Sequence, residues 1–123
     1  MITIRELTSH DELYDFVHFP FLLYGDNPYW SPPIIRDELQ NLNPQENPVF
    51  NHVEVKYFMA YEGEQPVGRI AGIINRPEVH ELNIPKIRFG YFDFIDEPDV
   101  SKTLLEQVRQ MGKENELDFM EGP

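Results

Sequence analysis

The sequence predicts an α+β domain: a mixed, mostly antiparallel sheet flanked by helices. Three observations point there. Runs at Ile2–Leu7, Val53–Glu62, Pro66–Asn75 and Lys86–Ile95 have the alternating or continuous apolar character of strands. His10–Tyr24 and Val100–Leu117 carry apolar residues at helical spacing. The last of those strands runs through Asp96-Glu97-Pro98-Asp99 directly into the second of those helices, an arrangement that leads on to a parallel strand.

Length and composition set the outer bounds. The chain has 123 residues, enough for one domain with one core, and 41% of them are hydrophobic. There is no cysteine, which excludes disulfides, thiol nucleophiles and cysteine-based zinc sites. His10, His18, His52 and His80 lack the spacing of a metal-binding pair, so no metal site is expected. The net charge of -12, with Lys and Arg scattered, argues against nucleic-acid and anionic-membrane partners. No apolar run is long enough to span a bilayer, and the first residues do not form a signal peptide, so a soluble cytoplasmic protein is expected.

The N-terminal strand, Ile2–Leu7, alternates Ile2 and Ile4 with Thr3 and Arg5. Ser9-x-x-Glu12 then forms a capping box. The run Ser9-His10-Asp11 is not a hydrolase triad, because triad members converge from separate segments. The helix from His10 to Tyr24 buries Leu13, Phe16, Val17 and Pro20, with Leu23 or Tyr24 completing the stripe. Pro20 lacks an amide hydrogen and is expected to kink or split it. Gly25-Asp26-Asn27-Pro28 ends the helix, and Tyr29-Trp30-Ser31-Pro32-Pro33 makes a stiff extended link. Ile34–Leu42 forms a second short helix, and Asn43-Pro44 and Asn47-Pro48 bracket a turn.

Val53–Glu62 places Val53, Val55, Tyr57, Met59 and Tyr61 on one face. Glu62-Gly63-Glu64-Gln65 turns the chain back into Pro66–Asn75. Gly68 and Gly72 lack side chains, so a helix or a bulge must approach that face closely. Arg76–Pro85 is expected to be a polar loop. Lys86–Ile95 is apolar on both sides, with Ile87, Phe89, Tyr91 and Ile95 opposite Phe92 and Phe94. That pattern predicts a central strand covered on both faces. The following helix carries Leu104, Leu105, Val108 and Met111 at core spacing and stops near Asn115. Asp118–Glu121 begins a parallel strand beside the central one.

These residues carry a family resemblance. Phe19-Pro20-Phe21-Leu22-Leu23-Tyr24, Asn27-Pro28-Tyr29-Trp30-Ser31-Pro32-Pro33, Asn47-Pro48, Val67-Gly68-Arg69-Ile70, Arg88-Phe89-Gly90 and the terminal Gly122-Pro123 resemble a group of bacterial GNAT-like proteins. The element order is similar to the N-terminal half of the GNAT (GCN5-related N-acetyltransferase) fold. That fold continues past the fifth strand, so the chain is expected to be truncated there.

The resemblance implies acetyl-CoA binding and acyl transfer from the CoA thioester to an amine. The donor's arm would lie along Phe92, Phe94 and Ile95, and its phosphates near Val100, Ser101 and Lys102. The glycines of the family's phosphate loop are missing, since none lies between Gly90 and Gly112. The junction instead carries Asp96, Glu97 and Asp99 opposed by Lys102. These acids also suit an ordinary helix cap, with Asp99 or Ser101 as the capping residue. A non-catalytic interaction or assembly domain is therefore the alternative to an acyltransferase.

Other residues have two readings each. Asp93, the acid inside the central strand, could take a proton from an amine, or could pair with Arg69 or Arg88. Tyr29 and Trp30 could wall the acceptor substrate's site, or form a rigid plug on the sheet. The bare edge at Asp118–Glu121 predicts a homodimer joined strand to strand.

Overall fold

The computed structural model describes residues 1–122; Pro123, part of the terminal Gly122-Pro123 motif, lies outside the described residues. The order is β1 (Ile2–Leu7), α1 (His10–Tyr24), α2 (Ile35–Leu42), β2 (Val53–Glu62), β3 (Gln65–Asn75), β4 (Lys86–Phe94), α3 (Pro98–Glu114) and β5 (Phe119–Glu121). Short helical turns at Pro48–Asn51 and Pro77–Glu81 interrupt the connections. Among the described residues the strands form one five-stranded sheet, ordered β1-β2-β3-β4-β5. The first four are antiparallel neighbours, and β5 runs parallel to β4.

Each face of the sheet has its own core. On one face Phe58, Ile70, Ile74 and Ile87 meet Val100, Leu104, Val108 and Met111 of α3. On the other, Tyr57, Met59 and Ala71 meet Leu13, Phe16, Val17 and Phe19 of α1 and Leu42 of α2. The side-chain alternation of β2 matches the sequence pattern.

The glycines of β3 mark where α3 presses closest. A Cβ on Gly68 would lie 2.7 Å from Leu104 Cδ1 and 2.9 Å from Val100 Cγ1. A Cβ on Gly72 would lie 2.6 Å from Met111 Sδ. The close approach expected at these positions is thus that of a packed helix. Gly63, in the β2–β3 turn, meets the other glycine requirement, with φ +62°.

Three sequence expectations are corrected. First, Pro20 does not split α1, which continues as one helix to Tyr24. Pro20 cannot donate to the Phe16 carbonyl, but Arg69 Nη1 does so at 2.9 Å, so the freed acceptor keeps a partner. Second, the connection after β3 is more than a polar loop. Its helical turn buries Glu78, which binds Arg88 and Lys86 of β4. Third, β4 is covered less fully than its composition suggests. Ile87 is its one buried residue, and the rest are half-buried except Tyr91, which is exposed.

Candidate functional site

The second half of β4 is set apart by a bulge. Register with β3 shifts between Arg69 and Ala71, so that β4 holds one extra residue where Gly90 gives way to Asp93. Tyr91 sits there with φ +49°. The bulge reverses the expected alternation. Phe89, Phe92 and Phe94 all pack on the α3 side, with ring centroids 5.5 Å apart for Phe89–Phe92 and 4.7 Å for Phe92–Phe94. Tyr91 turns instead to the α1 side, its ring edge-on to Phe16 with centroids 6.1 Å apart. A single added residue exchanges the faces of everything after it.

β5 pairs with Lys86, Ile87 and Arg88. From Phe89 to Phe94 no strand lies on that side among the described residues. Gly122 comes so close to the Phe89 ring that no side chain would fit at that position. The described residues end there, and β4 leads through Ile95 to the amino end of α3.

That helix end carries negative charge. Its N-cap is Glu97, which makes no side-chain capping bond, and Pro98 follows at the first helical position. Neither Asp99 nor Ser101 is the cap, as the sequence had suggested. The Ser101 hydroxyl instead donates to the Pro98 carbonyl at 3.1 Å. Asp96, Glu97, Asp99 and Lys102 are exposed, while Val100 is fully buried against β3. Phe92, Phe94 and Ile95 are half-buried along the run that leads there.

Behind the bulge lies a polar network that ties α1 to the sheet. Arg69 of β3 is buried. Its Nε donates to Asp93 Oδ2 at 2.9 Å, and Nη2 forms an ion pair with the same oxygen at 2.9 Å. The Tyr24 hydroxyl donates to Asp93 Oδ1 at 2.8 Å. Both carboxylate oxygens of Asp93 are thus engaged, which matches its pairing alternative. Burial and the Asp93 carboxylate push the Tyr24 phenol up to about 12, so it stays protonated as the donor. The Arg69 guanidinium also lies over the rings of Phe16 and Tyr91, 4.9 and 5.5 Å from their centroids.

Arg69 is a partner the sequence offered for Asp93, whereas the parts of Tyr24 and Tyr91 in this network were missed. Two signals were available. A proline inside a helix frees a carbonyl that needs a donor, and Gly90 inside a strand marks a bulge.

Trp30 packs on α1, its ring 5.0 Å from Phe21 and 5.9 Å from Tyr24. Tyr29 projects outward, 94% exposed. The two aromatics expected together are therefore in different settings. A cleft of about 480 Å³ opens elsewhere, between Ser9, Leu42, Lys56 and Tyr57, and contains none of the expected site residues.

No protein-family model matches the chain. It is 28% identical over 120 residues to Protein YghO of Escherichia coli, covering 98% of this chain and 30% of that protein. It is 34% identical over 105 residues to a bacterial ceramide synthase of Caulobacter vibrioides, covering 84% of this chain and 27% of that protein. The chain thus spans under a third of the length of these curated relatives.

Among solved structures, an aminoglycoside acetyltransferase from an uncultured soil metagenomic sample aligns with a TM-score of 0.69 and 16% identity. The alignment covers 99% of this chain and 76% of that one. A predicted acetyltransferase of Clostridium acetobutylicum, solved with acetyl-CoA, aligns with a TM-score of 0.65 and 14% identity, covering 100% and 80%. A ribosomal-protein-alanine N-acetyltransferase of Brucella melitensis aligns with a TM-score of 0.67 and 9% identity, covering 100% and 79%. The antiparallel meander, the bulged β4, the helix that follows it and the parallel β5 are together the fold of the GNAT acetyltransferases.

Proposed function

We propose that this chain is the donor-holding part of an N-acyltransferase that moves an acyl group from a CoA thioester to an amine. The observation that carries the reading is the bulge of β4 at Tyr91, where the strand bends before it continues through Phe94 and Ile95 into α3. A bulge frees main-chain donors and acceptors from the ladder, and an extended, amide-bearing chain could use them as another strand would. Phe92, Phe94 and Ile95 would border the donor's arm. Val100, Ser101 and Lys102 would lie nearest its phosphates, Val100 through its main chain only.

The fit to CoA is uneven. The bulged strand suits the arm, but the start of α3 does not suit the phosphates. Asp96, Glu97 and Asp99 face solvent there with Lys102 as the opposing cation. At roughly 8 Å each unit-charge pair repels by about 2 kcal/mol at an effective dielectric of 20. The acids thus favour a weak donor site, and they also support a second reading: a GNAT-like module that serves interaction or assembly without catalysis.

The acceptor is proposed to be a lipid amine. Support comes from the 34% identity to a ceramide synthase, since a ceramide is a fatty amide of a long-chain amino alcohol. Tyr29 would contact the acceptor, with Trp30 fixing the link behind it. Asp93 would act by holding Arg69 and Tyr24 in place rather than by taking a proton. Pairing of two copies through the outer edge of β5 is proposed as well; a monomeric mass at high micromolar concentration would count against it.

Calorimetric titration with acetyl-CoA and with palmitoyl-CoA tests the donor reading. We expect weak binding that tightens at least tenfold in an Asp96→Asn, Glu97→Gln, Asp99→Asn triple variant. Absence of binding to both proteins would leave the interaction module standing.

A further inference from the structure

Tyr91 holds a backbone conformation that side chains avoid. Its φ of +49° is left-handed, a region that residues other than glycine rarely adopt. Among the described residues Asn83 and Glu116 share this sign, but they lie in the connection before β4 and just after α3. Tyr91 alone of the three is inside a strand. Gly90 stands one position earlier and could take the bend without cost, yet the bend falls on the tyrosine. Strain retained beside a site is a pointer to function.

The side chain gives the second observation. Tyr24, Tyr57 and Tyr61 also face the α1 side of the sheet or contact it, and each hydroxyl has a partner: Asp93, the Leu42 carbonyl and Met59 Sδ. The Tyr91 hydroxyl makes no hydrogen bond among the described residues, although its ring is held by Phe16 and Arg69. The residue is 39% exposed. It therefore presents a fixed ring with a free polar end, at the bend of β4.

The geometry points to Tyr91 as the residue that receives the acceptor amine, its phenol oxygen accepting a hydrogen bond from a primary ammonium group at the bend of β4. This rests on the N-acyltransferase reading above and gives it an acceptor contact. The surroundings favour a cation. Burial and the negative charge of Glu38 on α2 raise the phenol above its ordinary range, so it is a neutral acceptor at physiological pH, while Arg69 opposes this in part. Arg69 itself is committed to Asp93 and the Phe16 carbonyl.

The test is amine binding, read independently of CoA. The chain is labelled with 13Cζ-tyrosine and titrated with n-octylamine, with n-octanol as the uncharged control. We expect the Tyr91 resonance to shift saturably with the amine and not with the alcohol. Tyr91→Phe, which keeps the ring contacts, should weaken octylamine affinity about tenfold, the effect of losing one hydrogen bond to a charged group. No binding of octylamine, or equal affinity for Tyr91→Phe, overturns the proposal. If octylamine binds at Tyr91 while acyl-CoA titrations stay flat, the amine contact stands and the donor reading fails.

Discussion

Replacing Arg69 with methionine should unfold much of what fastens α1 to the sheet. The guanidinium makes two 2.9 Å contacts with Asp93 and one with the Phe16 carbonyl. The Arg69 and Asp93 side chains are 10% and 20% exposed. Removing one partner of a buried pair costs about 3–5 kcal/mol, because the other charge stays behind without compensation. Asp93 keeps its bond from Tyr24, so the lower end, about 3 kcal/mol, is expected. For a domain of this size that lowers the thermal midpoint by about 10 °C.

Pro20 supplies an internal check. In a Pro20→Ala background the Phe16 carbonyl regains a helical donor, so losing Arg69 should cost about 1 kcal/mol less. Urea unfolding of the four proteins of this cycle, followed by the fluorescence of Trp30, measures both quantities. Trp30 is the chain's one tryptophan and packs on α1. Strictly additive effects of Arg69→Met and Pro20→Ala would refute the argument that Arg69 replaces the amide that Pro20 lacks.

Other perturbations follow from packing and charge. Gly68→Ala drives a methyl group against Leu104 and Val100 and should cost about 1–3 kcal/mol in urea unfolding, since a close-packed helix must move. Gly63→Ala meets no neighbour, so its cost should come from backbone strain alone and leave α3 packing unchanged in NMR spectra. Glu78 is held below its ordinary value of 4.5, chiefly by hydrogen bonds from Arg88 and then by Lys86. A depressed carboxylate contributes stability that is complete above the unfolded value and is lost as pH falls through the folded one. Glu78→Gln should therefore flatten the fall in stability below pH 4.5; an unchanged acid limb would show that the Glu78 cluster does not set it.

Much of the fold is legible in the sequence because local and tertiary signals agree. Ser9 and Glu12 form the expected capping box, with Ser9 Oγ accepting from the Glu12 amide at 3.1 Å. Gly68 and Gly72 announce the helix that packs on them. The site is harder to read, for physical reasons. The bulge at Tyr91 changes which face Phe92 and Phe94 occupy, and an alternation rule has no term for an added residue. Arg69 meets Pro20 and Asp93 across long stretches of chain, so no short motif contains the network. Glu78 looks like a loop acid until Lys86 and Arg88 are seen to close over it. The acidic start of α3, by contrast, was plain from composition, and the structure leaves those acids exposed.

The central claim is that β4, from its bulge to α3, takes the donor's arm along its main chain. Amide hydrogen exchange, read residue by residue with and without saturating palmitoyl-CoA, tests it most directly. Selective slowing of exchange at amides between Phe89 and Ile95, with those of β1 unchanged, is the predicted result. Exchange that stays as fast along that run while palmitoyl-CoA protects another surface would contradict it.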